Sequence, residues 1–378
     1  TPKPSSAASD VYMRQGENDS DGLRTGSNPI VLPGGSTIKD LAGNSAIITH
    51  AGMSTDSDHK VDTIPPSEVS TGIDNATTTG LQNNFLNAGD VLSLKSNFSE
   101  TVLKESASLT YKIVVGSDNK TATYSSGTNS DNLTFQYQIQ AGDNDTDGIS
   151  IDQNNIIGTI TDLAGNIASD VTINALTDNS SYKVDTTAPS VDNFTMSDTA
   201  LKIGDNATVT LIFSEQICPD TGSCAVTFTN SDIDVPDVTG TFTDTGSLST
   251  LTTDDNVTWT GIFIPTDNIE DNTSVLTLGT GYTDLAGNAG PSAQTANYAV
   301  DTKEPEVSRV FVSGQQGISA YNFLNPNDNV SLTARFTETV VVDNSYGGAP
   351  SLTFIMGSDN RTATFTSGSN SVDLVFGY

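Results

Sequence analysis

The pentapeptide Asp-Leu-Ala-Gly-Asn occurs three times, at 40–44, 162–166 and 284–288, and each copy is followed by Val-Asp-Thr, at 61–63, 184–186 and 300–302. Both marks recur at 116 to 123 residues, too long for a solenoid period and equal to one small domain per repeat. The chain is therefore a tandem array. Its segments are 1–60, 61–183, 184–299 and 300–378, and only the middle two hold a whole period.

Within the period the apolar residues alternate. Leu92, Leu94 and Phe98 mark one strand over 91–98, Tyr111, Ile113 and Val115 a second, and Leu133, Phe135, Tyr137 and Ile139 a third, each with polar partners in between. Gly116-Ser117-Asp118-Asn119 and Ser125-Ser126-Gly127 supply hairpin turn chemistry between them. Val209, Leu211 and Phe213 keep this frame in the next period, where Trp259, Ile262 and Ile264 stand in later strands and Trp259 is expected in the core. No segment carries a helical apolar stripe, so the fold class is all-β. A hydrophobic content of 35% with a net charge of -31 would also suit a disordered chain. The regular alternation argues against disorder and for thin sandwiches, in which each sheet buries only one face.

Fifteen basic against 46 acidic residues oppose binding to a phosphate backbone, so nucleic acid is excluded as a partner. The same excess suits hard divalent cations, calcium above all, or a solvated acidic surface. Cys218 and Cys224 are the two cysteines. With Pro219 and Gly222 between them they can close a small disulfide loop, which points to an oxidising, extracellular compartment. The sequence has no run of eighteen apolar residues, so membrane contact would pass through a segment that is not present here.

The two ends match each other. Gly357-Ser358-Asp359-Asn360 repeats Gly116-Ser117-Asp118-Asn119, and Leu374, Phe376 and Tyr378 fall on Leu133, Phe135 and Tyr137. Residues 300–378 thus read as the first half of a repeat. Residues 1–60 read as the second half, with an extended arm over 1–10, an apolar piece at Val11-Tyr12-Met13 and a last strand near Ala46-Ile47-Ile48. Flanking sequence would complete both halves, or the N-terminal half of a neighbouring copy would complete the C-terminal one in a head-to-tail filament.

Val184-Asp185-Thr186-Thr187-Ala188-Pro189, Leu86-Asn87-Ala88-Gly89-Asp90, Phe98-Ser99-Glu100 and Asp162-Leu163-Ala164-Gly165-Asn166 resemble the bacterial Ig-like, cadherin-like repeats of giant surface adhesins and surface-layer-type proteins. The resemblance covers nearly the whole chain. It implies an elongated array of tandem Ig-like β-sandwich domains of about seven strands each, with a split repeat at the two ends.

In such a sandwich, strand direction brings the linker carboxylate, the Phe-Ser-Glu glutamate and the Asp-Leu-Ala-Gly-Asn aspartate to one pole. The candidate metal sets are Asp62, Glu100 and Asp162, then Asp185, Glu215 and Asp284, and last Asp301 with Glu338. Three converging carboxylates repel one another unless a cation sits among them. Asp-Leu-Ala-Gly-Asn also reads as a plain tight turn, with Gly at positive φ and Asp bonding its own backbone, and both readings stay open. Asp143, Asp145 and Asp147, ahead of Gly148, read as the opening half of a calcium loop, although Asn154 stands where the bidentate Glu belongs. Glu17, Asp19 and Asp21, ahead of Gly22, repeat the pattern, and a solvated acidic turn is the alternative.

Nothing in the sequence forms a nucleophile motif around His50 or His59, so no enzyme activity is expected. The expected function is an extracellular rod, filament or surface-layer segment, stiffened by calcium at its junctions and contacting neighbouring repeats or copies. The alternatives are an adhesin module that binds glycan or a host protein, and accessory modules of a secreted hydrolase.

Overall fold

The computed structural model describes residues 14–151, 156–168, 176–220, 223–241, 243–316, 323–345 and 347–378. The apolar piece at 11–13, the arm before it and Asn154 lie outside the described residues. Among those described there is no α-helix, only strands and two short 3-10 turns, and no helix is long and apolar enough to cross a membrane.

Residues 61–185 close a sandwich. Its large sheet joins Glu68–Ile73, Val91–Lys104, Thr110–Val115, Asp118–Ser126, Ser130–Gln138, Ile156–Ile157 and Ile160–Asp162. A small sheet of Phe85–Leu86, Lys183–Asp185 and Asn144–Asp145 faces it, with Lys183–Asp185 parallel to Phe85–Leu86 and antiparallel to Asn144–Asp145. Leu92, Leu94, Tyr111, Ile113, Leu133 and Phe135 are fully buried between the sheets, as period-two alternation requires. Each large apolar side chain buried there contributes roughly 1.5–3 kcal/mol. Val184 is buried in this same core, in the strand Lys183–Asp185 that closes the small sheet.

Residues 191–301 form the second sandwich. Val191–Met196, Ala207–Phe213, Thr258–Pro265 and Gly246–Leu248 make one sheet, and Ala200–Lys202, Tyr298–Asp301 and Glu270–Ser274 make a facing one. Trp259 is buried against Phe228, with ring centroids 4.8 Å apart. Ile262 and Ile264 turn outward and are exposed, while Phe263 between them is buried. Side chains alternate faces along a strand, so Trp259 and Ile262, three apart, cannot share one.

The flanking halves differ from these. Residues 307–377 form one five-stranded sheet, and an apolar trough of about 620 Å³ runs along it between Val310, Phe336, Leu352, Leu374 and Phe376. In 14–60 the strand Asn18–Asp19 pairs with Val61–Asp62, but the expected strand over Ala46-Ile47-Ile48 is absent. Only a bridge from Ser45 to Lys39 remains there, and Leu41 and Ile47 are exposed. A strand needs partners along its whole length for its backbone N–H and C=O groups, and the pairing here ends at Ala46, whose N–H donates to Ile38 O at 2.8 Å.

Candidate metal centres at the repeat junctions

The recurrent pentapeptide builds the same turn each time. Asp162 Oδ1 accepts from the backbone N–H of Ala164 and of Asn166, both at 2.8 Å, and Oδ2 accepts from the Asn166 amide at 2.7 Å. Asp284 is held the same way by Ala286 and Asn288, and Asp40 by Ala42 and Asn44. Gly43, Gly165 and Gly287 take φ of 95°, 89° and 93°, the left-handed region where a Cβ would be strained. The turn reading is therefore correct in its geometry, and it does not exhaust the carboxylate. The three donors take both lone-pair directions of Oδ1 and one of Oδ2, so Oδ2 keeps a direction free for a further contact.

Two other segments converge on that carboxylate. The ligand oxygens of Asp62, Glu100 and Asp162 lie within 4.8 Å of one another, and so do those of Asp185, Glu215 and Asp284. Asp162 and Asp284 are buried, and the other four carboxylates are half-buried. Glu100 was expected at the end of its strand. It stands instead inside Val91–Lys104, where the pairing register slips between Asn97 and Val102, and such a bulge re-aims a side chain without ending the strand. The Val-Asp-Thr linker is tied by its threonine: Thr186 Oγ1 accepts from Gly142 N and donates to Asp143 O, both at 2.9 Å. Asn166 and Asn288 complete the frame by donating to the backbone carbonyls of Asp62 and Asp185, each at 3.0 Å. Sequence reasoning missed these asparagines as ties, although they close every copy of the motif.

Burial pushes the Glu215 carboxyl up to about 7, with the charges of Asp185 and Asp284 adding to it. Burial likewise raises Glu100, helped by Asp62 and Asp162, and raises Asp284 against the hydrogen bonds from Asn288. No ion pair among the described residues supplies a positive side chain to either set. At the second set a cavity of about 220 Å³ is lined by Phe85, Asp185, Glu215, Gln216, Leu285 and Ala286. Oxygen ligands from three segments, without a competing cation, fit a hard divalent ion, whose 2.3–2.6 Å bonds allow ligand oxygens that far apart. In the third set Asp301 is exposed and Glu338 is half-buried, and no further carboxylate joins them among the described residues.

The loop candidates are used differently. Asp143 is buried and bound to the Lys120 ammonium at 2.8 Å and the Tyr137 hydroxyl at 2.6 Å. Burial alone would raise its pKa, but these two partners carry it below the ordinary carboxylate range. Asp145 accepts from Gly116 N at 2.8 Å and Gly148 N at 2.6 Å and lies beside Asp147, but Asp143, Asp145 and Asp147 do not converge as a set of three. Asp19 caps Gly22 N at 2.9 Å in an exposed turn with Glu17 and Asp21, and these three do not converge either. Strand pairing makes Asp19, Asp145 and Asp271 equivalent. Asp271 accepts from Thr239 N and Thr273 N, which hold it down at about 2. In all three repeats this aspartate pins backbone turns. Cys218 and Cys224 are joined as a disulfide.

Facing sheets closed by a last strand that runs parallel to an early one, repeated in series, define the chain as a tandem array of Ig-like β-sandwiches. Residues 185–300 match the family model of a bacterial Ig-like domain, and the motifs of that stretch recur in the other segments of the chain. The chain is also similar to a solved structure of FdeC, described as a broadly conserved Escherichia coli adhesin eliciting protection against urinary tract infections. That likeness is 12% identical over 82% of this chain and 86% of that one, at a TM-score of 0.28, and carries no functional argument. No curated protein matches the chain.

Proposed function

We propose that the protein is an extracellular structural element of a bacterial cell surface, a rod of Ig-like repeats whose junctions are stiffened by calcium. The observation that carries this reading is the convergence of Asp62, Glu100 and Asp162, and again of Asp185, Glu215 and Asp284, where one repeat leads into the next. A bound divalent ion would supply the positive charge that three carboxylates otherwise lack. The chain's own residues do the rest. Asp62 and Asp185 bring the linker to the cluster, Glu100 and Glu215 bring the body of the following sandwich, and Asp162 and Asp284 bring its turn. An ion shared by all three segments ties the linker to the domain and removes freedom at the hinge.

The acidic surface keeps such a rod soluble and apart from nucleic acid. Adhesive use, with glycan or a host protein held by the loops, is the second reading and draws on the family alone. Small-angle scattering of the chain tests the rod. The maximum dimension should rise and the flexibility fall when calcium replaces chelator, and identical curves in both conditions would refute stiffening.

A further inference from the structure

The two carboxylate junctions are unequal, and the difference lies around Thr283 and Asp284. On the side of the first closed repeat, the turn Gln82-Asn83-Asn84-Phe85 has Asn83 and Asn84 both at positive φ, 48° and 67°, a conformation that asparagine tolerates better than most residues. This turn reaches into the next repeat. The Asn83 amide donates to Leu285 O at 3.0 Å and to Cys224 Sγ at 3.0 Å. On the side of the second repeat, the disulfide segment is stitched to the same place. Cys218 N donates to Thr283 O at 3.0 Å, and the Thr283 hydroxyl donates to Val226 O at 2.8 Å.

The other two copies of the turn carry no such load. Leu41 and Leu163 are exposed, whereas the equivalent Leu285 is half-buried and Ala286 is buried. A Cβ at Gly43 or Gly165 would meet nothing within 4 Å, but one at Gly287 would lie 2.4 Å from Gln82 Nε2 and 3.0 Å from Asn87 Nδ2.

We infer that the Cys218–Cys224 bridge is a positioning element of the junction between the two closed repeats. It backs the Asp284 turn so that the Gln82–Phe85 turn of the preceding repeat seats on it. The partner surface is thus a neighbouring Ig-like repeat that presents an amide-bearing tight turn followed by an aromatic residue. Sγ accepts the Asn83 amide, so the bridge both braces the turn from behind and contacts the incoming repeat. Where the Asp185, Glu215 and Asp284 set holds calcium, its affinity depends on the intact bridge. That last clause rests on the proposed cation reading, while the docking itself does not.

The test uses the whole chain, compared with the chain reduced by a dithiol, with Cys218→Ser/Cys224→Ser, and with Asn83→Ala, which leaves the bridge intact. Hydrogen exchange is read at 283–288 and in the linker 185–190, and calcium binding is read by titration calorimetry. Bridge loss should speed exchange at both places about tenfold while leaving 162–166 unchanged, and should weaken one of two calcium sites about tenfold, as loss of a ligand's support does. Asn83→Ala should speed linker exchange alone. Unchanged exchange in the reduced chain and in Asn83→Ala would overturn the inference. If the oxidised chain binds no calcium at either set, the cation reading fails and the exchange data still decide the role of the bridge.

Discussion

The side-chain amide of Asn166 donates to the backbone carbonyl of Asp62 at 3.0 Å, across 104 residues of sequence, while the same amide holds Asp162 Oδ2 at 2.7 Å. One side chain thus fixes the distance between a linker and a turn that each supply a carboxylate to one cluster. Asn288 does the same for Asp185 and Asp284.

Replacing either asparagine by alanine leaves a carbonyl and a carboxylate oxygen without their donor. The expected cost is about 1–3 kcal/mol for each variant, the price of an unsatisfied buried partner. Thermal unfolding with saturating calcium measures it. A loss below about 0.5 kcal/mol, the usual size of an inconsequential surface substitution, would show that the amide is ornamental to the junction.

Acidity should stabilise the chelated protein. Glu215 has its pKa raised from 4.5 to about 7, so the folded state holds its proton more tightly than the unfolded state. A raised carboxyl contributes stability that is present at low pH and is lost as pH climbs from 4.5 toward 7. In chelator, the second repeat should therefore melt higher at pH 5 than at pH 8. Calcium at pH 8 should restore the difference, and Glu215→Gln should flatten the profile. A melting temperature that rises steadily from pH 5 to pH 8 in chelator would contradict this.

The aspartates that pin turns should behave otherwise. Asp145→Ala removes the acceptor for Gly116 N and Gly148 N, and Asp271→Ala removes it for Thr239 N and Thr273 N. Each should cost about 1–3 kcal/mol, because two backbone donors lose the buried carboxylate that accepts from them, and the cost should be the same with calcium as with chelator. A calcium-dependent penalty at Asp145 would reinstate the loop as a metal site.

The glycines of the repeated turn should separate. Gly165→Ala meets only backbone strain, about 1 kcal/mol, because the space around it is open. Gly287→Ala adds a clash with Gln82 and Asn87 and should also loosen the linker, seen as faster proteolysis near 185–190. Equal behaviour of the two variants in proteolysis would mean that the preceding repeat does not seat there.

Much of this architecture was legible in the sequence, because the decisive marks are local. Asp-Leu-Ala-Gly-Asn carries its own turn, with Gly at positive φ and Asp as acceptor, and strand direction alone places Asp162 beside Asp62 and Glu100. Alternation likewise located Leu92, Leu94 and Phe135 in the core. What escaped depends on partners distant along the chain. Lys120 neutralises Asp143 from a different hairpin, so the acidic run looked like a cation loop. The bulge at Glu100 is a matter of register with Ser130–Gln138, which spacing within one strand does not encode. Ala46-Ile47-Ile48 has strand composition, but its pairing stops at the bond from Ala46 N to Ile38 O. The contact between Asn83 and Leu285 spans 202 residues and leaves no periodic trace.

Melting of the chain in calcium and in chelator, compared with Glu100→Gln/Glu215→Gln, tests the central claim that the junction carboxylates hold a divalent cation. At calcium about 100 times the dissociation constant, mass action should add about 2.7 kcal/mol per site, or roughly 10 °C for a repeat of this size. The double variant should melt higher than the parent in chelator, since repulsion is relieved, and should lose the calcium increment. Glu105→Ala, outside the carboxylate sets, should keep it. An identical melting temperature for the parent chain with and without calcium would contradict the account.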